Sequence, residues 1–257
     1  MTVLILGGTA EARALAARLA ADSVPVVSSL AGRVREPRLP AGEVHIGGFG
    51  GVDGLCAYLA EQNMAAVVDA THPFAARISA NADQACARTG LPLLRLVRPG
   101  WGELPGAHRW QWVDSDGEAA AVAADGGDPV VLTTGRQTLE AYVRPLHGHR
   151  VLARVVDPPG IALPDGWVVV RSRGPYDLEA ERALLLGHGA EVLVTKDSGG
   201  SHTRAKLDAA DEFGVTVVVI RRPPEAHTGV ADVEAAMLWL QRVAGVAGVE
   251  GVQRHTR

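Results

Sequence analysis

Only two cysteines, Cys56 and Cys86, occur in the 257 residues, each within an alanine-rich, helix-like stretch. So few thiols exclude a disulfide framework and read as a buried pair. No apolar run approaches the ~20 residues a membrane helix requires. Gly7 and Gly8 interrupt the first such run and no basic segment precedes it, so no leader is expected. With a net charge of −4 the chain has no global field to draw nucleic acid. No cluster of His, Cys and carboxylates has zinc spacing, so a metal is not expected. Three signatures are also missing: the G-x-x-x-x-G-K-[ST] phosphate loop, the G-x-S-x-G nucleophile elbow, and the Y-x-x-x-K pair of short-chain dehydrogenases. A soluble, cytoplasmic protein that binds neither membrane nor nucleic acid is the expectation.

What is present is a globular balance, 47% hydrophobic and 21% charged, with ample material for a core. Short apolar runs ("TVLIL", "VPVVSS", "AAVVDA", "PLLRLV") alternate with helical stretches such as "TAEARALAARLAA" and "PFAARISANADQACARTG". Continuous apolar strands joined by amphipathic helices indicate a doubly wound parallel sheet covered on both faces, an α/β fold. The rhythm breaks between Arg98 and Asp128, where prolines, glycines and three of the five tryptophans gather, and then resumes. Two Rossmann-like domains with a cleft between them are expected. Residues 1–98 form the first, 99–128 a connection with one strand in "HRWQWV", 129–244 the second, and 245–257 a glycine-spaced tail.

Ligands of an open parallel sheet bind beyond the C-terminal ends of its strands, so the residues after each strand are the candidates. Gly7, Gly8 and Thr9 follow the first and open a helix. The G-x-G-x-x-G spacing is missing, yet glycine backbone at a helix N-terminus suits a phosphate as well as a tight turn. Thr9 can cap the helix or donate to that phosphate. Glu11 favours the helix dipole but would repel phosphate if it pointed inward. Ser28, Ser29 and Arg33 follow the second strand, where an NAD-selective domain usually places a carboxylate. Hydroxyls with a guanidinium suit a 2′-phosphate and favour NADPH, although Arg33 can equally be a solvated loop cation.

The glycines of "GGFGG" (47–51) mark either a second close backbone approach or a flexible loop. Asp69, Thr71, His72 and Pro73 follow the fourth strand, with Pro73 suited to a first helical turn. His72 is either a proton donor or a packing and capping residue. In the second half, "TTGRQT" places Gly135 and Arg136 where strand meets helix. "TKDSGGSHTRAK" gathers Lys196, Ser198, Gly199, Gly200, Thr203 and Lys206 as a receptor for carboxylates or phosphate, or as a solvated loop.

The ordered set "ILGGTAEARALA", "SSLAGR", "GGFGG", "DATHPFAARISANA", "LTTGRQ", "VDPP", "SRGPY" and "TKDSGG…AKL" resembles the precorrin-6A reductase family over residues 2–224. The resemblance implies reduction of one macrocycle double bond, giving precorrin-6B in the pathway to cobalamin, with hydride from NADPH. It also implies a G-G-T-x-E opening in place of G-x-G-x-x-G. On that basis Gly7, Gly8 and Thr9 would take the pyrophosphate, and Ser28, Ser29 and Arg33 the 2′-phosphate. Asp69, Thr71 and Pro73 would lie near the nicotinamide. The many carboxylate arms of the ring would meet Arg77, Arg136, Arg173, Lys196 and Lys206, with Gly135, Ser198, Gly199, Gly200 and Thr203 beside them. Lys196, His72 or water would supply the proton. A cobalt-bearing ring, a non-catalytic NADPH-binding module and a tetrapyrrole carrier stay open. A monomer, working with other enzymes of the corrin pathway, is expected.

Overall fold

The chain begins with a buried strand, β1 (Thr2–Leu6), whose every second side chain serves a different face. The computed structural model describes residues 2–32, 38–201, 203–224 and 229–244. By contacts it divides into two units, Met1–Arg98 with Pro224–Arg257, and Pro99–Pro223.

In the first unit β1 leads to α1 (Ala10–Ala21), β2 (Val26–Leu30), β3 (Glu43–Ile46), α2 (Gly51–Glu61), β4 (Met64–Asp69), α3 (Ala76–Thr89) and β5 (Leu93–Arg95). The strands form one five-stranded sheet in the order β3-β2-β1-β4-β5, and every pairing is parallel. Val3 and Ile5 pack on one face with Leu15 and Leu19 of α1. Leu4 and Leu6 pack on the other with Leu55 and Leu59 of α2 and with Cys86. Parallel strands buried on both faces have no polar side to show, which is why their sequences read as unbroken apolar runs.

The second unit contains β6 (Gln111–Val113), α4 (Asp116–Gly126), β7 (Val130–Leu132), the short α5 (Glu140–Val143), β8 (Val151–Val155) and β9 (Trp167–Arg171). It continues with α6 (Leu178–His188), β10 (Val192–Lys196), α7 (Ala205–Glu212) and β11 (Thr216–Ile220). Its six-stranded order is β6-β11-β10-β7-β8-β9, again parallel throughout. Read from β9, the five strands β9-β8-β7-β10-β11 repeat the order of the first unit, and β6 is added at the edge.

The boundaries differ from the expected ones at two places. Residues 99–128 are not a connection but a working part of the second unit, in which Trp101 is fully buried and α4 covers β10 and β11. The last helix, α8 (Val233–Ala244), belongs to the first unit. Its Ala236, Met237 and Leu240 are buried beside Leu15 and Leu19, and Val230 bridges Leu96 in parallel at the end of β5. Burying Met237 and Leu240 stabilises this return by about 1.5–3 kcal/mol each, which no local signal in the connecting residues announces. The tail 245–257 lies outside the described residues.

Candidate active site

The first sheet reverses its direction of winding at β1 and the second at β7, so each has a switch point: between β1 and β4 in the first unit, between β7 and β10 in the second. All strands being parallel, the loops at that point open at the same end of each sheet.

In the first unit the β1 loop is Gly7, Gly8 and Thr9. The Gly7 N–H donates to the Ser29 carbonyl at 2.9 Å, tying the loop to β2. Gly8 has φ of +110° and no heavy atom within 4 Å of where a Cβ would stand, so open backbone faces outward at the start of α1. Thr9 caps that helix, its Oγ1 accepting from the Ala12 N–H at 3.1 Å. The same hydroxyl donates to the Ala70 carbonyl at 2.7 Å. Of the two roles open to Thr9, the structure shows the cap, and its one proton is committed across the switch point. Glu11 pairs with Arg98 at 2.7 Å, so its charge is neutralised beside the loop.

The β4 loop rests on a buried polar cluster. Asp69, fully buried, pairs with Arg95 and accepts from the Thr71 N–H (3.0 Å) and hydroxyl (2.7 Å). Arg95 also donates to Ser79 of α3 at 2.8 Å. Oδ1 takes both Thr71 hydrogen bonds and Oδ2 faces the Arg95 charge, the pairing that burial of a carboxylate demands. Asp69 and Thr71 therefore fix the loop from beneath. Pro73 does not start the helix. It occupies a turn closed by the Ala75 N–H donating to the His72 carbonyl at 2.7 Å, because proline's fixed φ suits position two of a turn as well as a first helical residue. His72 accepts from the Phe74 N–H through Nδ1 at 3.3 Å and is half-buried.

Ser28 and Ser29 lie within β2 rather than after it, since pairing with β1 and β3 extends the strand to Leu30. The Ser28 side chain is 2% exposed, so only the end of this strand and Gly32, at φ +68°, reach the loop. Arg33 lies outside the described residues. The "GGFGG" loop packs back on α2. A Cβ on Gly54 would stand 1.7 Å from the Phe49 carbonyl oxygen, and Phe49 stacks on His45 at 4.6 Å.

In the second unit Lys196 ends β10. Its Nζ donates to Thr138 Oγ1 at 3.3 Å and lies 3.7 Å from Asp116 Oδ2. Burial pushes the ammonium below its ordinary lysine value, while Asp116 works in the opposite direction. Asp116 also accepts from the Tyr142 hydroxyl at 3.0 Å. Neither Asp116 nor Tyr142 stood out in the sequence. The available signal was the Ser115…Glu118 spacing of a helix start after "HRWQWV".

The Ser198, Gly199 and Gly200 loop is clamped from below. Asp197 accepts both arms of the Arg222 fork, at 3.1 and 3.2 Å, and the Trp101 N–H at 3.0 Å. The Gly200 carbonyl accepts from the Trp101 indole, and its N–H donates to Pro99. Thr203 donates to the Gly199 carbonyl at 3.4 Å. Lys206, expected to meet substrate, is instead 5% exposed, with its ammonium 5.4 Å from the Trp101 ring centroid. Helical spacing turns it toward the core, so it supports the loop from its buried side. Gly135 has φ of +84° and open space at its Cβ position. Arg136 donates to the Pro158 carbonyl at 3.4 Å, and Arg77 and Arg173 are exposed. Among the described residues no group of three metal-ligating side chains occurs, and no helix is long and apolar enough to cross a membrane.

A family model described as precorrin-6x reductase CbiJ/CobK matches residues 2–241. A precorrin-6A reductase of Rhodococcus erythropolis is 49% identical over 241 residues, covering 93% of this chain and 96% of its own. One of Mycobacterium tuberculosis is 51% identical over 242 residues, with the same coverage. A solved structure of CobK precorrin-6A reductase superposes with a TM-score of 0.87 at 38% identity, covering 94% of this chain and 96% of that one. A match spanning both units and both switch-point loops leaves one conclusion: the chain belongs to the precorrin-6x reductase family and is a reductase.

Proposed function

We propose that the chain reduces one double bond of the precorrin-6A macrocycle, giving precorrin-6B, with NADPH as the reductant. The observation that carries this reading is the contrast between the two switch points. The first presents open glycine backbone at a helix N-terminus, with the nearby acid neutralised. The second presents a partly buried cation beside a glycine loop.

NADPH, when bound, supplies the hydride. The residues of the first unit fit such a group: Gly7 and Gly8 let backbone approach the pyrophosphate, and the N-terminal dipole of α1 favours its charge. Thr9 holds the loop in register, while Ser29, with Arg33, is assigned to the 2′-phosphate side. Asp69 and Thr71 hold the β4 loop, with Pro73, against the nicotinamide.

In the second unit Lys196 acts as the group that meets the macrocycle and delivers a proton to the carbon next to the one that receives hydride. A lysine whose affinity for its proton is reduced by burial is a better acid than a solvated one. Gly135, Arg136, Arg173 and the Ser198–Gly200 backbone take the carboxylate arms. His72 is the second candidate acid. We take the enzyme to act in the cytoplasm as a monomer, alongside other enzymes of the corrin pathway.

The test is anaerobic loss of NADPH absorbance with precorrin-6A present and absent, with NADH, a cobalt-bearing precorrin and the Arg33→Ala variant in parallel. Substrate-dependent oxidation, weakened for NADPH by Arg33→Ala, supports the reading. Saturable NADPH binding without turnover of precorrin-6A overturns it for this ring.

A further inference from the structure

The first turn of α4 is fixed from both sides. Ser115 Oγ accepts from the Glu118 N–H at 3.1 Å, and Glu118 Oε2 accepts from the Asp114 N–H at 2.9 Å. Asp116 sits within this reciprocal cap, at the end of the sheet where β6 finishes and where β10 also finishes, with α4 lying across β11 and β10. Its two oxygens point to different partners: Oδ2 lies 3.7 Å from Lys196 Nζ, and Oδ1 accepts from the Tyr142 hydroxyl at 3.0 Å.

Tyr142 is fully buried in α5. Burial first, and the adjacent Asp116 charge second, push its phenol far above the ordinary tyrosine value, so it stays protonated and keeps its one proton to donate to Asp116. A permanent donor beneath one oxygen fixes the direction of the other. Thr138 Oγ1 accepts a hydrogen bond from Lys196 Nζ at 3.3 Å, so the ammonium is gripped from the 136–138 turn as well as from α4. Among the titratable groups set against Lys196 are Asp116 from α4 and, behind it, Tyr142 from α5.

We propose that Asp116, braced by Tyr142, is a positioning residue for Lys196, holding its ammonium charged and in one direction at the mouth of the second sheet. The proposal rests on the reading of Lys196 as the group that meets the macrocycle. Without Asp116 the burial that weakens the ammonium acts unopposed, and the chain of fixed hydrogen bonds loses its anchor.

The test reads Lys196 directly, without substrate. The intact protein is exposed to trace amounts of an amine-acylating reagent across a pH series, and modification of Lys196 is followed by peptide mass spectrometry. In Asp116→Asn the labelling midpoint moves down by about one pH unit or more, so labelling below the midpoint rises roughly tenfold. Tyr142→Phe moves it in the same direction by less, and Asp116→Glu restores the wild-type midpoint. With precorrin-6A and NADPH, Asp116→Asn lowers kcat while KM for NADPH stays put, and the alkaline limb of the pH profile shifts with the labelling midpoint. Should Asp116→Asn fail to fold, Tyr142→Phe carries the same readout. A wild-type midpoint in both variants overturns the proposal. A wild-type enzyme that labels normally but never turns over precorrin-6A overturns the proposed function instead, and the labelling shift still decides the role of Asp116.

Discussion

The Thr9 hydroxyl donates to the Ala70 carbonyl at 2.7 Å while accepting from the Ala12 N–H at 3.1 Å. One side chain thereby caps α1 and joins the two loops that flank the first switch point. Thr9→Val keeps the shape and removes both bonds. Loss of the cap and an unmatched Ala70 carbonyl together cost about 2–3 kcal/mol in urea unfolding. Thr9→Ser recovers most of it. NADPH affinity falls in the valine variant and returns in the serine variant, as read by fluorescence titration.

Gly199 is required for two separate reasons. Its φ is +67°, and a Cβ there would stand 2.4 Å from both the Pro99 carbonyl oxygen and Arg222 Nη2. Gly199→Ala therefore strains the backbone and pries Arg222 from Asp197, at a cost of about 2–4 kcal/mol. Gly8→Ala is the control: the backbone is strained, yet nothing is struck. Its unfolding midpoint falls less, while its NADPH binding weakens more.

The Asp69–Arg95 pair is buried at both ends. Arg95→Ala leaves a buried carboxylate without its counter-charge and destabilises by about 3–5 kcal/mol. Adding Asp69→Asn recovers part of that loss, because the orphaned charge is gone. Single and double variants compared in a denaturation cycle check this, and additive costs would contradict the coupling.

Burial, with Asp83 and other nearby acidic groups adding to it, pushes the Cys86 thiol from its ordinary value up to about 12. At pH 8 Cys86 in the native protein resists a thiol-reactive dye, whereas unfolding exposes it. The stability consequence has a definite sign. Above pH ~9 the unfolded thiol releases its proton while the folded one keeps it, so this group's contribution to stability falls as pH rises toward 12. A wild-type unfolding midpoint that falls more steeply than that of Cys86→Ala between pH 8 and 10 is the expected result.

Much of this was legible in the residues alone. Gly7, Gly8 and the helix after them announce a strand–turn–helix junction because strand, glycine and helix start are all local patterns. The strand that carries Ser28 and Ser29 runs on to Leu30, since strand ends are set by neighbouring strands and not by the strand's own composition. Lys206 looked like a surface cation, and only the packing of α7 on Trp101 turned it inward.

By itself the sequence determined the α/β class, the doubled layout, the glycine-rich loops and Lys196 at a strand end, because each follows from short-range periodicity and turn chemistry. The tertiary structure alone decided that α8 returns to the first unit, that 99–128 completes the second, and that Asp116 and Tyr142 stand beside Lys196. Those facts join residues from 26 positions apart (Asp116 and Tyr142) to 225 (Leu15 and Leu240), and contacts at such range depend on which apolar faces cover one another, which no local window contains.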